Sequence, residues 1–413
     1  MEQLKPKHIV CFALPAWEAD YLRSTVELMK GLSDEHLVLY VDYAYTISDL
    51  IKGILGKKKF EWQRLLGLKK RFRRVRGNDG IGLYVLSLPP VLPSFIIKSY
   101  RLFKIANRIN AAITGYYINK AIKKLQMKNI IGFNSFQPFL GNYWTINNLQ
   151  FTVYYIYDDF SNVPWFKGFA SIEEEKFISK ADLIVVSSDE LKKRKQKINK
   201  PIEVVNNGVH FNAFFSNINS RKLNENYMKT VGYTGTMDNR IDLDLLETVI
   251  KLLPNIRFLF IGKVRELSIY NRLIKYINVC FEPPVLADQI PCMQRQIDVG
   301  IVPYVCNELT AAIYPLKVNE YLAMGLPVVV TPFASLAEAD DVVYMANNAG
   351  SFIKCIEMAL IENDECIKQQ RLNIARKADW KERSNQLMEI MTHYSTKRPL
   401  IPNSLLTKNS KAS

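Results

Sequence analysis

Lys317 and Glu320 stand three apart in the string YPLKVNEYLAMGLPVVVTP (314–332). Pro315 suits a helix start and Gly325 a helix end, so the pair shares one face near the N-terminus of a short helix. A lysine there opposes the helix dipole, a placement that makes sense when an anion lies between them. Glu320 beside it can accept hydrogen bonds from sugar hydroxyls. The plainer reading is an exposed ion pair of little energetic weight. A second cluster is VGYTGTMDNRIDLDLL (231–246), where Gly232 and Gly235 flank a strand end and a helix follows. Small residues there let main-chain N–H groups approach a phosphate at a helix N-terminus; a tight turn alone would also need them. Asp158 and Asp159 close the run TVYYIYDD (152–159). A carboxylate in that position can take a proton from an attacking hydroxyl. Asp159 is favoured for the role with Asp158 close behind, and a helix cap or an interdomain salt bridge is the alternative for both.

Other chemistries lack their residues. The histidines, His8, His36, His210 and His393, have no partner at ligand spacing and read as structural. Six cysteines show no CxxC pattern, which argues against a disulfide framework or structural zinc. GxSxG, P-loop and HExxH strings are absent. No metal is expected.

The elements that must position these residues alternate along the chain. HIVCFAL (8–14), HLVLYVD (36–42), GLYVLSL (82–88), TVYYIYD (152–158) and ADLIVVSS (181–188) are continuous apolar runs, as parallel strands buried on both faces require. KTVGYTG, IRFLFIGK, IDVGIVPY and LPVVVTP repeat the pattern in the second half. Amphipathic stretches such as EADYLRSTVELMKGL, KSYRLFKIANRINAAITGYYINKAIKKL and DLDLLETVIKLL lie between them. The fold class is α/β, with two Rossmann-like domains facing across a cleft. At 413 residues the chain suits two domains of roughly 100–200 residues each. The expected division is 1–214 and 215–380, followed by a helix over 381–397 and a disordered tail over 398–413.

Lys plus Arg exceeds Asp plus Glu by 15, so an anionic partner is expected. The segment IKGILGKKKFEWQRLLGLKKRFRRVR (51–76) holds eleven Lys or Arg against Glu61 alone. Ile54, Leu55, Phe60, Trp62, Leu65, Leu66, Leu68 and Phe72 are interleaved with the charge, a composition suited to an anionic membrane surface. A solvated basic loop has the same composition. A nucleic-acid patch is the weaker alternative, since no RNP, zinc-finger or helix-turn-helix signature accompanies it. The apolar stretch 81–97 is broken by Pro89, Pro90 and Pro93 and is too short to span a bilayer. The opening residues lack the pattern of a signal peptide. The expectation is a cytoplasmic protein peripherally associated with the inner face of the membrane.

The 314–332 string resembles the nucleotide-sugar-binding motif of glycosyltransferases of the GT-B fold, in the branch related to family 4. Four further strings agree in order. YIYDDF is similar to an acceptor-domain element, VVNNGVHFNAF to the interdomain string, GYTGTMDNRIDLDLL to the glycine loop, and ADWKERSNQLMEIM to the terminal helix that crosses back to the first domain. The resemblance implies transfer of a sugar from a nucleotide diphosphate donor, UDP before GDP, to a glycan or lipid-linked acceptor in cell-surface polysaccharide synthesis. It implies Lys317 at the donor diphosphate, Glu320 at the ribose, and Gly235 with Thr236, Asp242 and Lys263 around the phosphates and sugar. Pro284 and Val285, in FEPPVLADQIPCMQRQIDVGIVPY (281–304), match the segment against which the base packs, and Tyr314 completes the donor set. Many relatives carry a second glutamate eight positions before the ribose-binding one; here that position is Ala312, which leaves the stereochemical outcome open. A nucleotide-sugar 2-epimerase of the same fold, and a non-enzymatic module binding anionic lipid or nucleic acid through 51–76, are the alternatives.

Overall fold

The computed structural model describes residues 6–18, 23–58, 60–78, 81–159, 169–218, 228–336 and 338–397. The tail 398–413 and most of the polar stretch 216–229 lie outside them. The N-terminal lobe is built on β1 (His8–Ala13), β2 (Leu37–Val41), β3 (Phe72–Asn78), β4 (Ile81–Leu86), β5 (Ile130–Ser135), β6 (Leu149–Ile156), β7 (Leu183–Val186) and β8 (Ile202–Val204). Their order is β3-β4-β2-β1-β5-β6-β7-β8, and every pair is parallel except β3 with β4. The C-terminal lobe carries β9 (Thr230–Thr234), β10 (Arg257–Ile261), β11 (Val279–Glu282), β12 (Val299–Val302), β13 (Val328–Val330) and β14 (Tyr344–Met345). These run parallel in the order β11-β10-β9-β12-β13-β14. In each lobe the first strand has its sequence successor on one side and a later strand on the other. Such a switch point opens a crevice at the carboxyl ends, where ligands of doubly wound sheets bind.

Both sheets read as continuous apolar runs because helices cover both faces. In the N-terminal lobe, α1 (Ser24–Leu32) lies on one face. The long helix α4 (Tyr100–Lys124) lies on the other, with Ile118 and Ile122 packed against Val10, Leu39 and Ile130. The last helix, Trp380–Lys397, returns to this lobe, and its Trp380, Leu387 and Met391 are buried among Ile9, Val38 and Tyr155. Ser384 Oγ donates to the Leu28 carbonyl of α1 (3.1 Å), and Tyr394 donates to Glu203 Oε1 (2.6 Å). The crossings between lobes run side by side. Val209 N–H donates to Ala378 O (2.9 Å) and Trp380 N–H to Val209 O (3.1 Å).

The division of the chain differs from the sequence expectation. Phe211 and Phe214 are buried in the core of the C-terminal lobe together with Val209, whereas Val205 belongs to the N-terminal core. The first crossing therefore lies at 206–208 and not after 214, because the two phenylalanines find their apolar surroundings on the far side. Strands β3, β5, β8, β11 and β14 fall outside the apolar runs that the sequence marks as strands.

The basic segment folds into three elements: the end of α2 (Ile47–Ile54), α3 (Trp62–Leu66) and the antiparallel edge strand β3. Charged side chains on an edge strand prevent further strand pairing. The rings of the segment turn inward. Phe60 stacks on Tyr45 at 4.3 Å and Phe72 on Tyr84 at 5.3 Å, and Trp62 is half-buried. Part of its charge is matched within the lobe, by Lys58 with Asp49, Lys69 with Glu61, Arg73 with Glu18 and Arg76 with Asp34.

Candidate active site

Strand β9 ends at Thr234, and Gly235 follows with φ +132°, a region that side chains rarely adopt. Gly262, at the end of β10, has φ +140°, and a Cβ there would sit 2.2 Å from the Gly235 carbonyl oxygen. The two loops are thus in backbone contact, which only glycine permits. A Cβ on Gly235 would come within 2.4 Å of Lys317 Cε and 2.9 Å of its Nζ. Lys317 therefore lies directly across the glycine loop. It projects from the first turn of the helix Leu316–Ala323, donates from Nζ to the Tyr304 hydroxyl (3.0 Å), and sits 5.2 Å from the Tyr233 ring centre.

A second cation meets it. Arg240 grips both oxygens of Asp238, Nε to Oδ1 and Nη2 to Oδ2, each at 2.8 Å. Its guanidinium lies 5.5 Å from the Tyr304 ring centre. Burial pushes the Tyr304 phenol up, but the charges of Lys317 and Arg240 outweigh it and hold the group below its usual value. Two cations around one buried tyrosine at a switch point are an arrangement suited to an anion. Sequence reading missed Arg240 and Tyr304. Their signal was present, in a basic residue inside the glycine-loop string and a tyrosine closing the strand IVPY.

Glu320 is half-buried on the same helix. Burial pushes its carboxyl up to about 7, against the opposing pull of Lys317, His210 and a hydrogen bond with Gln294. Gln294 Nε2 also donates to Thr234 Oγ1 (3.0 Å), tying the carboxylate region to the end of β9. His210 pairs with Glu27 of α1 at 3.1 Å, so Glu320 faces the crossing between lobes.

The other donor-set residues divide. Thr236 and Lys263 stand in the paired glycine loops; the Thr236 carbonyl accepts from Tyr233 Oη (2.9 Å) and the Lys263 carbonyl from Met237 N–H (2.9 Å). Pro284 is exposed just past β11, and Val285 packs against the lobe's core. The carboxyl ends of β11, β10, β9 and β12 thereby place Val285, Lys263, Gly235 and Tyr304 in a row. Asp242 and Tyr314 are occupied elsewhere. Asp242 caps the helix Leu243–Leu252, its Oδ1 accepting from Leu245 N–H (3.0 Å), as the start of that helix demands. Tyr314 donates to Glu338 Oε2 (2.8 Å), its carbonyl accepts from Asn207 Nδ2 (3.3 Å), and Glu338 is paired with Arg383. The gap beside Tyr314 holds about 20 Å³, room for about one water. These two side chains fasten the structure and do not line the anion site.

Across the cleft, Asp158 and Asp159 follow β6. Asp159 is buried and paired with Arg194, whose Nη2 also donates to the Glu308 carbonyl of the other lobe (2.7 Å). Its carboxylate thus belongs to an interdomain clasp, the alternative role considered from sequence. Asp158 reaches solvent in the cleft, with Oδ1 accepting from Asp159 N–H (2.8 Å). The protein around it pushes its carboxyl up, while Arg240 from the facing lobe pulls it down. Geometry therefore reverses the preference between the two acids. Ala312, where relatives carry a second glutamate, is buried against N-terminal-lobe residues such as Phe136 and Tyr154. Among the described residues, no three His, Cys, Asp or Glu side chains are grouped to hold a metal ion.

Residues 228–362 match the family described as "Glycosyl transferases group 1". TuaH of Bacillus subtilis (strain 168), named for glycosyl transfer in teichuronic acid biosynthesis, is 30% identical over 231 residues. That alignment covers 52% of this chain and 58% of TuaH, so the chain spans less than two thirds of that relative. Among solved structures, sucrose-phosphate synthase from Thermosynechococcus elongatus superposes with a TM-score of 0.67 at 10% identity, covering 95% of this chain and all of that one. A trehalose-6-phosphate structure from E. coli bound with UDP-2-fluoro glucose gives 0.65 at 12% identity, covering 93% and 99%. Likeness at such identities speaks to the fold. The chain is a two-lobed α/β protein of the GT-B fold, and residues 228–362 of its C-terminal lobe are similar to the group 1 glycosyl transferases.

Proposed function

We propose that the protein transfers a sugar from a nucleotide diphosphate donor, with UDP the favoured nucleotide, to a glycan or lipid-linked acceptor in cell-surface polysaccharide synthesis. The observation that carries the proposal is Lys317 lying across Gly235 with Arg240 also against the Tyr304 ring. Charge builds on the departing diphosphate as the bond to the sugar breaks, and fixed cations at that spot lower the barrier without reorganising. In this reading Glu320 holds the ribose and the Pro284–Val285 segment flanks the base. The acceptor oxygen forms the new bond to the anomeric carbon while its proton passes to a carboxylate. Asp158 suits that step, since a carboxyl held above its ordinary range is the better proton acceptor. No step requires a metal. The basic side chains of 51–76 draw the protein to anionic lipid at the inner face of the membrane; among the described residues no helix is long and apolar enough to cross one.

Thermal-shift titration with UDP-, GDP- and dTDP-sugars tests the donor, because a ligand bound by the native state raises its melting temperature. Lys317→Ala should abolish the shift. An unchanged shift in that variant would remove the anion site from the proposal. Turnover of UDP-N-acetylglucosamine without any acceptor would instead favour an epimerase.

A further inference from the structure

Helix α4 covers the N-terminal sheet with one side, which buries Phe103, Ala106, Thr114 and Ile118. The opposite side of such a helix is ordinarily polar. Here Leu102, Ile105, Ile109, Ile113 and Tyr116 are between 42% and 63% exposed. Their spacing of three and four residues sets them in one stripe along the helix. Arg101, Arg108 and Lys120 are exposed beside it. Helix α4 contains no acid, and none occurs anywhere from residue 80 to 157. Residues 51–157 hold nineteen Lys or Arg against Glu61 and Asp79, whereas the rest of the chain has 36 against 38. The protein's whole positive surplus thus lies in the stretch of chain that contains this helix.

A second group of exposed apolar side chains is linked to α4 through residues 91–92. Ile47 N–H donates to Val91 O (2.9 Å), and Leu92 is held by Asn110 of α4 through bonds of 2.8 and 3.0 Å. Helix α2, with Ile47, Ile51 and Ile54 exposed, is thus linked to α4 through residues 91–92, and Ile96, shortly before α4, is 77% exposed. An open pit of about 490 Å³, bordered by Arg108, Tyr116, Asn119 and Tyr143, adjoins the stripe.

We propose that the outer face of α4, extended by α2, is the surface with which this protein lies on an anionic lipid bilayer. The five side chains from Leu102 to Tyr116 enter the boundary between headgroups and acyl chains, and the flanking cations meet lipid phosphates. A helix of 25 residues is about 37 Å long and lies flat in that plane. The chemistry selects this occupant over others. A second copy would bring two faces of the same strong charge together, and a nucleic acid gains nothing from an aliphatic stripe. The inference does not rest on sugar transfer, and it moves the inserting side chains from Phe60, Trp62 and Phe72, which turn inward, to α4.

The test is flotation of the full chain with phosphatidylcholine vesicles, with and without phosphatidylglycerol, across a salt series. The protein should float with the anionic vesicles, less so at high salt. The triple variant I105D/I109D/I113D changes only exposed positions, so it should keep its melting temperature and its nucleotide affinity while partitioning at least about a hundredfold more weakly. R101E/R108E should weaken anionic-vesicle binding and flatten its salt dependence. Equal flotation of wild type and the triple variant overturns the inference. So does a dimer at sedimentation equilibrium that the triple variant dissociates, which would assign the face to a second copy. Loss of nucleotide binding by wild type would strike the proposed function while leaving the flotation result intact.

Discussion

Gly235→Ala separates a structural from a ligand-binding effect at the centre of the site. The added methyl meets Lys317 Cε at 2.4 Å and Nζ at 2.9 Å, where ordinary contact begins near 3.4 Å. These atoms end a flexible side chain, so the lysine yields by about 1 Å and the lobe still folds. The backbone term remains, because a non-glycine residue at φ +132° costs about 1–3 kcal/mol. For a lobe of this size that lowers the melting temperature by roughly 2–12 °C. The displaced ammonium loses its place over the loop and its bond to Tyr304. A charge-assisted bond to phosphate is worth about 1.5–3 kcal/mol, so UDP should bind about ten- to a hundredfold more weakly. Calorimetric titration with UDP, run beside a melting curve, reads both quantities. If the melting temperature falls but UDP affinity stays at the wild-type level, Lys317 does not meet the diphosphate and the assignment fails.

Burial raises Glu320 to about 7 from an ordinary value of 4.5, so its contribution to stability is fully present below about 4.5 and is lost as pH rises through about 7. Donor hydroxyls bonded to its ionised form should make nucleotide affinity climb over the same window, and Glu320→Gln should remove both dependences in pH-resolved melting and binding curves. Asp158→Asn should lower kcat by about 10²–10⁴ with nucleotide affinity unchanged; equal loss in Asp159→Asn with no loss of stability would contradict the division of labour drawn from the Arg194 clasp. Gly208→Ala forces a Cβ within 2.8 Å of the Trp380 ring and 2.9 Å of Ala378 O, so urea unfolding should show about 1–3 kcal/mol of destabilisation.

The parallel sheets were legible because continuous apolar runs such as HIVCFA and RFLFI admit few other readings. Strand β5 was not, since Gly132, Asn134 and Ser135 interrupt its apolar pattern although all six residues are buried. Strand β3 hid inside a charged segment, because an edge strand draws its stability from one neighbour and its charges serve against a second. At the site, the spacing of Lys317 and Glu320 fixed a shared helix face. Nothing local indicated that Asp159 would meet Arg194, 35 positions later, or that Tyr314 would be spent on Glu338. Pairings of that kind are decided by how the lobes dock. For α4 the period was visible and the exposure was not: an apolar stripe looks the same whether a sheet or a solvent boundary lies against it.

The return of Trp380–Lys397 onto the first lobe bears on how the protein is made. A ribosome releases that helix only after the second lobe's strands have emerged. Until then one face of the first sheet, including Ile9, Cys11 and Val38, lacks the cover that Trp380, Leu387 and Met391 supply. The first lobe therefore finishes folding only after the second has been synthesised, and nascent chains stalled before residue 380 should remain open to protease and chaperone there while the second lobe is already closed.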